Sequence, residues 1–371
     1  MPIRRAGLAF ALLFPAALAS SCRSSQTQFP IGIYDVRSKD HLEALRRAGF
    51  NWVHDGGGSA DPPDAYLKEA RRQGITVLAT PTETMKRGFA ETGVKPHWYV
   101  YDEPDVHKVD PSHLKGLIEA LKAEWPSAKF GFSLGRGEAL KKYPSLGDFV
   151  MVDWYPVPHL PLDSVADQLD SAKNAAGGRP VWMILQAFDW RKDPQRDATK
   201  PRIGRFPDHR EIRFMTYLAL VHGADGLFYY TFYDYLSADK TLLSSPERWQ
   251  AVERVAKEVS SLSPWLGNPA SDRLPDIPAP LEHSLWKTGR SDLLIVVNRS
   301  SSSAVVPNFL YDRRWRPLFE SKRHLDHVFP RDGRGAGYIG PCRVVVLERR
   351  RTFMWIQVPR WLVAAISRRA G

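Results

Sequence analysis

Cysteine is nearly absent from this chain of 371 residues: Cys22 and Cys342 are its two. A disulfide framework and a cysteine-based zinc site are therefore excluded. Long apolar runs are lacking too, since the stretch from Leu8 to Leu18 is too short to span a bilayer comfortably. No Gly-rich phosphate fingerprint follows the first strand-like segment. Gly56-Gly57-Gly58, after the second, lacks the Lys and Ser/Thr of a P-loop, which disfavours a nucleotide-binding open sheet. The His-x-His pair of barrel metal sites is missing, so neither a metal nor another cofactor is expected. The net charge of +11 comes without a basic helix or an RNA-binding signature, and nucleic acid is not an expected partner. Much of the excess lies at the two ends, in Arg4, Arg5, Arg343, Arg349, Arg350, Arg351, Arg360, Arg368 and Arg369.

The first residues read as an export signal: Arg4 and Arg5, the short apolar run, then Ala19-Ser20-Ser21-Cys22. This segment resembles a bacterial lipobox, although Leu18 stands four positions before the cysteine rather than three. The resemblance implies lipid on Cys22 and association with a membrane of the cell envelope. A plain signal cut near Ala19 would instead give a periplasmic or secreted protein. The chain then divides into a signal (1–22), a polar tether (23–28), a barrel domain (29–265), a Pro-rich linker (266–280), a β-sandwich (281–350) and a basic tail (351–371).

What is abundant is aromatic: 12 Trp, 13 Tyr and 17 Phe. Between Phe29 and Trp265 a strand-then-helix pattern repeats eight times. The strands are expected at Ile31–Val36, Asn51–Asp55, Thr76–Thr80, Trp98–Asp102, Lys129–Leu134, Phe149–Trp154, Val181–Phe188 and Gly226–Phe232. Pro opens and Gly closes several of the intervening helices, as at Pro62-Pro63 with Gly74. The helical segments around Met85–Thr92 and Gly137–Tyr143 carry the weakest signals. Eight such units predict an α/β fold, a (β/α)8 TIM barrel. Short alternating runs after residue 280 predict a small antiparallel β-sandwich.

The run His97-Trp98-Tyr99-Val100-Tyr101-Asp102-Glu103-Pro104 ends in two adjacent carboxylates. Burying carboxylates is costly, and the C-terminal end of a barrel strand is where catalytic groups sit. Alternation along the strands puts Tyr99, Tyr101 and Glu103 on the inner face, with Asp153 and Tyr155 on the sixth strand and Gln186 on the seventh. Trp154, Trp190 and Tyr230 add aromatics at the mouth, and Asp234 and His54 add polar groups. Aromatic planes with a few acids suit sugar rings, whose C–H faces stack and whose hydroxyls accept and donate hydrogen bonds.

The segments Ala48–His54 and Gly223–Tyr230 resemble strands of barrel glycoside hydrolases. Tyr101-Asp102-Glu103-Pro104 resembles the Asp-Glu pair of substrate-assisted N-acetylhexosaminidases of glycoside hydrolase families 20 and 123. The resemblance implies a carbohydrate substrate, Glu103 as the acid and Asp102 as the group orienting a 2-acetamido nucleophile. It also implies that Tyr155 or Tyr230 holds the acetamido oxygen. Gln186 stands where retaining barrel glycosidases carry a nucleophilic Glu. Three alternatives stay open: an inverting or conventional glycosidase using Glu103 with Asp153 or Asp234, a glycan-binding protein without catalysis, and a metal-dependent hydrolase built on His54, Asp55 and the Asp102-Glu103 pair. The sugar, its linkage and the oligomeric state are not written in the sequence.

Overall fold

The computed structural model describes residues 28–192, 204–233, 240–270, 274, 277–306, 314–319 and 337–351. The expectations for the export segment with Cys22, for Asp234 and for residues 352–371 fall outside them.

Eight strands close a parallel barrel: β1 (Ile31–Ile33), β2 (Trp52–His54), β3 (Thr76–Ala79), β4 (His97–Tyr99), β5 (Lys129–Leu134), β6 (Phe149–Trp154), β7 (Val181–Gln186) and β8 (Gly226–Tyr230). Neighbours follow chain order, and β1 pairs with β8 to complete the circle. The connecting helices are α1 (Leu42–Arg47), α2 (Pro63–Gln73), α3 (Glu83–Thr92), α4 (Pro111–Glu124), α5 (Ser164–Ala175), α6 (His209–Val221) and α7 (Pro246–Ser261), followed by the short α8 (Ser263–Leu266). Between β5 and β6 a 3-10 segment, Gly137–Lys142, replaces the helix. The weak signal near Met85 belongs to a full helix: the Thr82 hydroxyl accepts from the Met85 amide, and Gly93 ends it at φ 63°. An L side chain at that φ would be strained, so glycine suits the stop.

The alternation inferred from the sequence holds where the strands are regular. Tyr34, Leu78, Tyr99, Phe149, Met151, Trp182, Ile184 and Phe228 fill the barrel interior as one cluster. Trp98, Val150, Val152, Met183, Leu185 and Tyr229 pack outward under the helices. The interior is a packed core, with Phe149 and Trp182 stacked at 4.2 Å. Glycine makes room for these rings: a Cβ on Gly131 would lie 2.0 Å from the Phe149 ring. β4 stops at Tyr99, three residues short of the expected end. Tyr101 consequently leaves the inner face and packs against the outer core.

The C-terminal part contains β9 (Leu281–Lys287), β10 (Ser291–Asn298), β11 (Ala304–Val305), β12 (Trp315–Pro317), β13 (Tyr338–Ile339) and β14 (Val344–Arg350). Among the described residues these form a four-stranded antiparallel sheet, β12-β14-β10-β9, and a two-stranded ribbon, β11-β13. Leu293, Ile295 and Val297 join the barrel's outer core, while Leu294 and Val296 face the ribbon cluster with Ile339. The sheet is thus apolar on both faces. Helix α6 lies beneath it and is buried from Phe214 through Val221, which is why that helix is apolar almost all round. At its end His222 bridges Asp170 of α5 (2.9 Å) and Glu282 of β9 (2.5 Å).

Candidate active site

After Tyr99 the chain leaves the ladder and turns, with Glu103 at φ 45°. Two hydroxyls fix that turn. The Tyr99 hydroxyl donates to Asp102 Oδ1 at 2.5 Å, and Ser133 Oγ, from the inner face of β5, donates to the same oxygen at 2.9 Å. The Glu103 amide donates to Ser133 Oγ at 3.1 Å. Ser133 therefore clips both acidic residues to the next strand. The Glu103 carboxylate lies over Gly135, where a Cβ would come within 3.1 Å of Oε1. Burial, then the neighbouring Tyr34 and Asp102, push the Tyr99 phenol up, so it stays a donor.

Asp153, on β6, completes an acidic triangle. Its Oδ2 accepts from the Tyr155 hydroxyl at 3.0 Å, and its Oδ1 is buried with no partner. Burial, reinforced by the charges of Asp102 and Glu103, raises its pKa well above the usual carboxylate range. Repulsion among carboxylates sharing a site favours keeping one of them neutral, and here that is Asp153.

One wall of this site is aromatic. Tyr155 and Tyr230 stack at 5.5 Å with an interplanar angle of 24°. Phe188 sets its edge against both rings, and the Trp190 indole donates to the Tyr155 carbonyl at 3.3 Å. Opposite, the His54 ring lies between Tyr34 (4.4 Å) and Tyr99 (4.7 Å). His54 Nδ1 accepts the Gly56 amide at 3.2 Å, so in the neutral ring the proton sits on Nε2, which is buried without a partner.

Two expected site residues stand elsewhere. Trp154 points outward, with its indole donating to Ser164 Oγ at 2.8 Å, because alternation from Asp153 turns it toward α5. Gln186 faces the barrel axis but is fully buried. Its amide bonds the Val157 amide and carbonyl at 2.8 Å each and the Phe188 carbonyl at 3.2 Å. It latches the loop after β6 to the end of β7 and has no free polar atom for a ligand. Asp234 lies outside the described residues. Glu103, Asp102, Asp153, Tyr155, Trp190, Tyr230 and His54 are all at the C-terminal end of the barrel.

Sequence reasoning missed Ser133 and Tyr34, and gave Tyr99 an inward direction but no role in orienting Asp102. Ser133 carries the clearest overlooked signal, a hydroxyl at an inward position of the otherwise apolar Phe130-Gly131-Phe132-Ser133-Leu134. Among the described residues no group of three or more His, Cys, Asp or Glu could hold a metal ion.

No protein-family model matches the chain, and no curated protein sequence does. Its fold is similar to solved barrels. Amy13B of Eubacterium rectale superposes with a TM-score of 0.53 at 9% identity, covering 87% of this chain and 96% of that one. An Anoxybacillus alpha-amylase gives 0.52 at 10% identity over 88% and 98% of the two chains. A GH30 endoxylanase from Clostridium papyrosolvens gives 0.50 at 10% identity over 87% and 96%. At such identities the likeness establishes a shared architecture: a (β/α)8 barrel followed by a small antiparallel β domain.

Proposed function

We propose that the chain is a glycoside hydrolase acting at the C-terminal mouth of its barrel. The observation that carries this reading is the convergence of Asp102, Glu103 and Asp153 beside the stacked Tyr155–Tyr230 wall. Carboxyl groups next to aromatic planes are what glycosidic cleavage needs: a proton for the leaving oxygen and stabilisation of positive charge at the anomeric carbon. Solved barrels similar to the chain include amylases and an endoxylanase, which supports the same reading by analogy of fold.

Glu103, held at the mouth over Gly135, is the general acid/base. Asp102, oriented by Tyr99 and Ser133, positions the nucleophile. β7 offers no carboxylate, since Gln186 is buried and committed to backbone groups. This favours a nucleophile supplied by the substrate, a 2-acetamido group whose nitrogen Asp102 would orient. The competing version is an inverting enzyme in which Asp153, once it has given up its proton, activates water through its unpartnered Oδ1. Export and lipid attachment at Cys22 belong to the same proposal, on the strength of the N-terminal sequence.

Chromogenic glycosides, with and without a 2-acetamido group, separate these versions when tested on wild type and Glu103→Gln. Substrate assistance predicts hydrolysis of the N-acetylhexosaminides alone. Equal hydrolysis of both sets refutes it in favour of the Asp153 version. Absence of any Glu103-dependent hydrolysis refutes the enzyme reading.

A further inference from the structure

Next to Phe188 of the aromatic wall lies a cavity of about 310 Å³, lined among the described residues by the segments just after β7 and β8 and by the start of α7. We propose that it binds an oxyanion, a carboxylate or sulfate carried by the glycan, so that the site selects acidic over neutral saccharides; this rests on the glycosidase reading above.

Four features support the assignment. Lys240 and Arg248 line the cavity, and neither has a carboxylate within ion-pairing distance among the described residues. The Arg248 guanidinium is held in place 5.4 Å over the Phe206 ring, a contact that orients it without neutralising its charge. Ser244 and Ser245 also line the cavity, at the start of the 16-residue helix α7. Ser245 makes no capping bond there and Pro246 has no amide proton, so the side chain of Ser245 is not committed to the helix start, although Glu247 in the first turn offsets part of the helix dipole.

The cavity also contains an acid, Asp189, but its charge is already committed. Arg191 binds it through Nε and Nη2, with the closest contact at 2.6 Å. Burial works against ionisation, yet these hydrogen bonds hold its carboxyl below the usual range. Among the described residues the remaining charge on the lining is therefore positive, although Arg248 also acts on Asp189. Phe188 links the cavity to the aromatic wall, since it lines the cavity and touches both Tyr155 and Tyr230. A glycan seated on the Tyr155–Tyr230 wall would thus reach the cavity with a substituent of a neighbouring ring.

The test is titration calorimetry with matched saccharides, namely oligouronates against their methyl esters and sulfated oligosaccharides against their desulfated parents, with inorganic sulfate as a free anion. Wild type should bind at least one acidic form tenfold or more tighter than its neutral partner. Arg248→Gln/Lys240→Gln should abolish that preference while still hydrolysing neutral aryl glycosides. Lys240→Gln alone, at an exposed position, should reduce it without any risk to the fold. Equal affinity for both forms, or a preference that survives the double substitution, overturns the proposal. Binding of sulfate alone, lost in the double variant, assigns the cavity to a free anion and also overturns it. If neutral glycosides are hydrolysed without any acidic preference, only this proposal falls; if no glycoside is hydrolysed, the parent reading falls with it.

Discussion

His222 couples the barrel to the C-terminal sheet, and its replacement by glutamine should reveal how strongly. Burial opposes the imidazolium charge, but hydrogen bonds to Asp170 and Glu282 outweigh it and raise the pKa from 6.5 to about 9. A shift of that size corresponds to roughly 3 kcal/mol at about 1.4 kcal/mol per unit. The Asp170 side chain is half exposed (49%), so solvent screening reduces the usable part to about 1–2 kcal/mol. Because folding raises this pKa, the stabilisation is complete below about pH 6.5 and is lost as pH rises through about 9. In a chain of 371 residues that is worth a melting shift of about 1–3 °C. Thermal unfolding of wild type and His222→Gln at pH 6, 8 and 10 measures it. The two should differ most at pH 6 and converge by pH 10. A constant offset across that range would refute the charge argument and leave only a packing effect.

Three further outcomes follow from the barrel interior. Gly131→Ala should destabilise by about 1–3 kcal/mol in urea unfolding, because its Cβ would meet the Phe149 ring at 2.0 Å and force the core to shift. Tyr99→Phe removes a hydroxyl bonded to a carboxylate, an interaction worth about 1.5–3 kcal/mol, and should lower kcat about 10–100-fold with little change in KM. Asp153→Asn should gain stability relative to wild type as pH rises from about 4 to 7, since the folded protein favours the neutral acid while the unfolded chain favours the carboxylate; an unchanged pH profile of melting would contradict the neutral assignment.

The barrel was legible because its signals are local and repeated. Proline at helix starts, glycine at helix ends and inward alternation along β6 and β7 each need only neighbouring residues, and Phe149, Met151, Trp182 and Ile184 fall where alternation puts them. The site was less legible because it begins where the strands stop. Once β4 ends at Tyr99, alternation no longer governs Tyr101, Asp102 or Glu103, and their directions are set by Ser133, thirty or so residues away. Gln186 fails for a different reason. Its inward direction was correct, but nothing local announces that the Val157 backbone consumes its amide. The sandwich was read from alternating runs, whereas the described residues form one sheet covered by a ribbon, because the barrel itself supplies the second layer.

The most direct test of the central claim is the hydrolysis of paired glycosides by wild type and Glu103→Gln. A positioned acid contributes about 10²–10⁴-fold. Glu103→Gln should lose activity in that range on a glycoside with a poor leaving group, and much less on an activated aryl glycoside, which needs no protonation. Equal losses on both, or none on either, would contradict Glu103 as the proton donor.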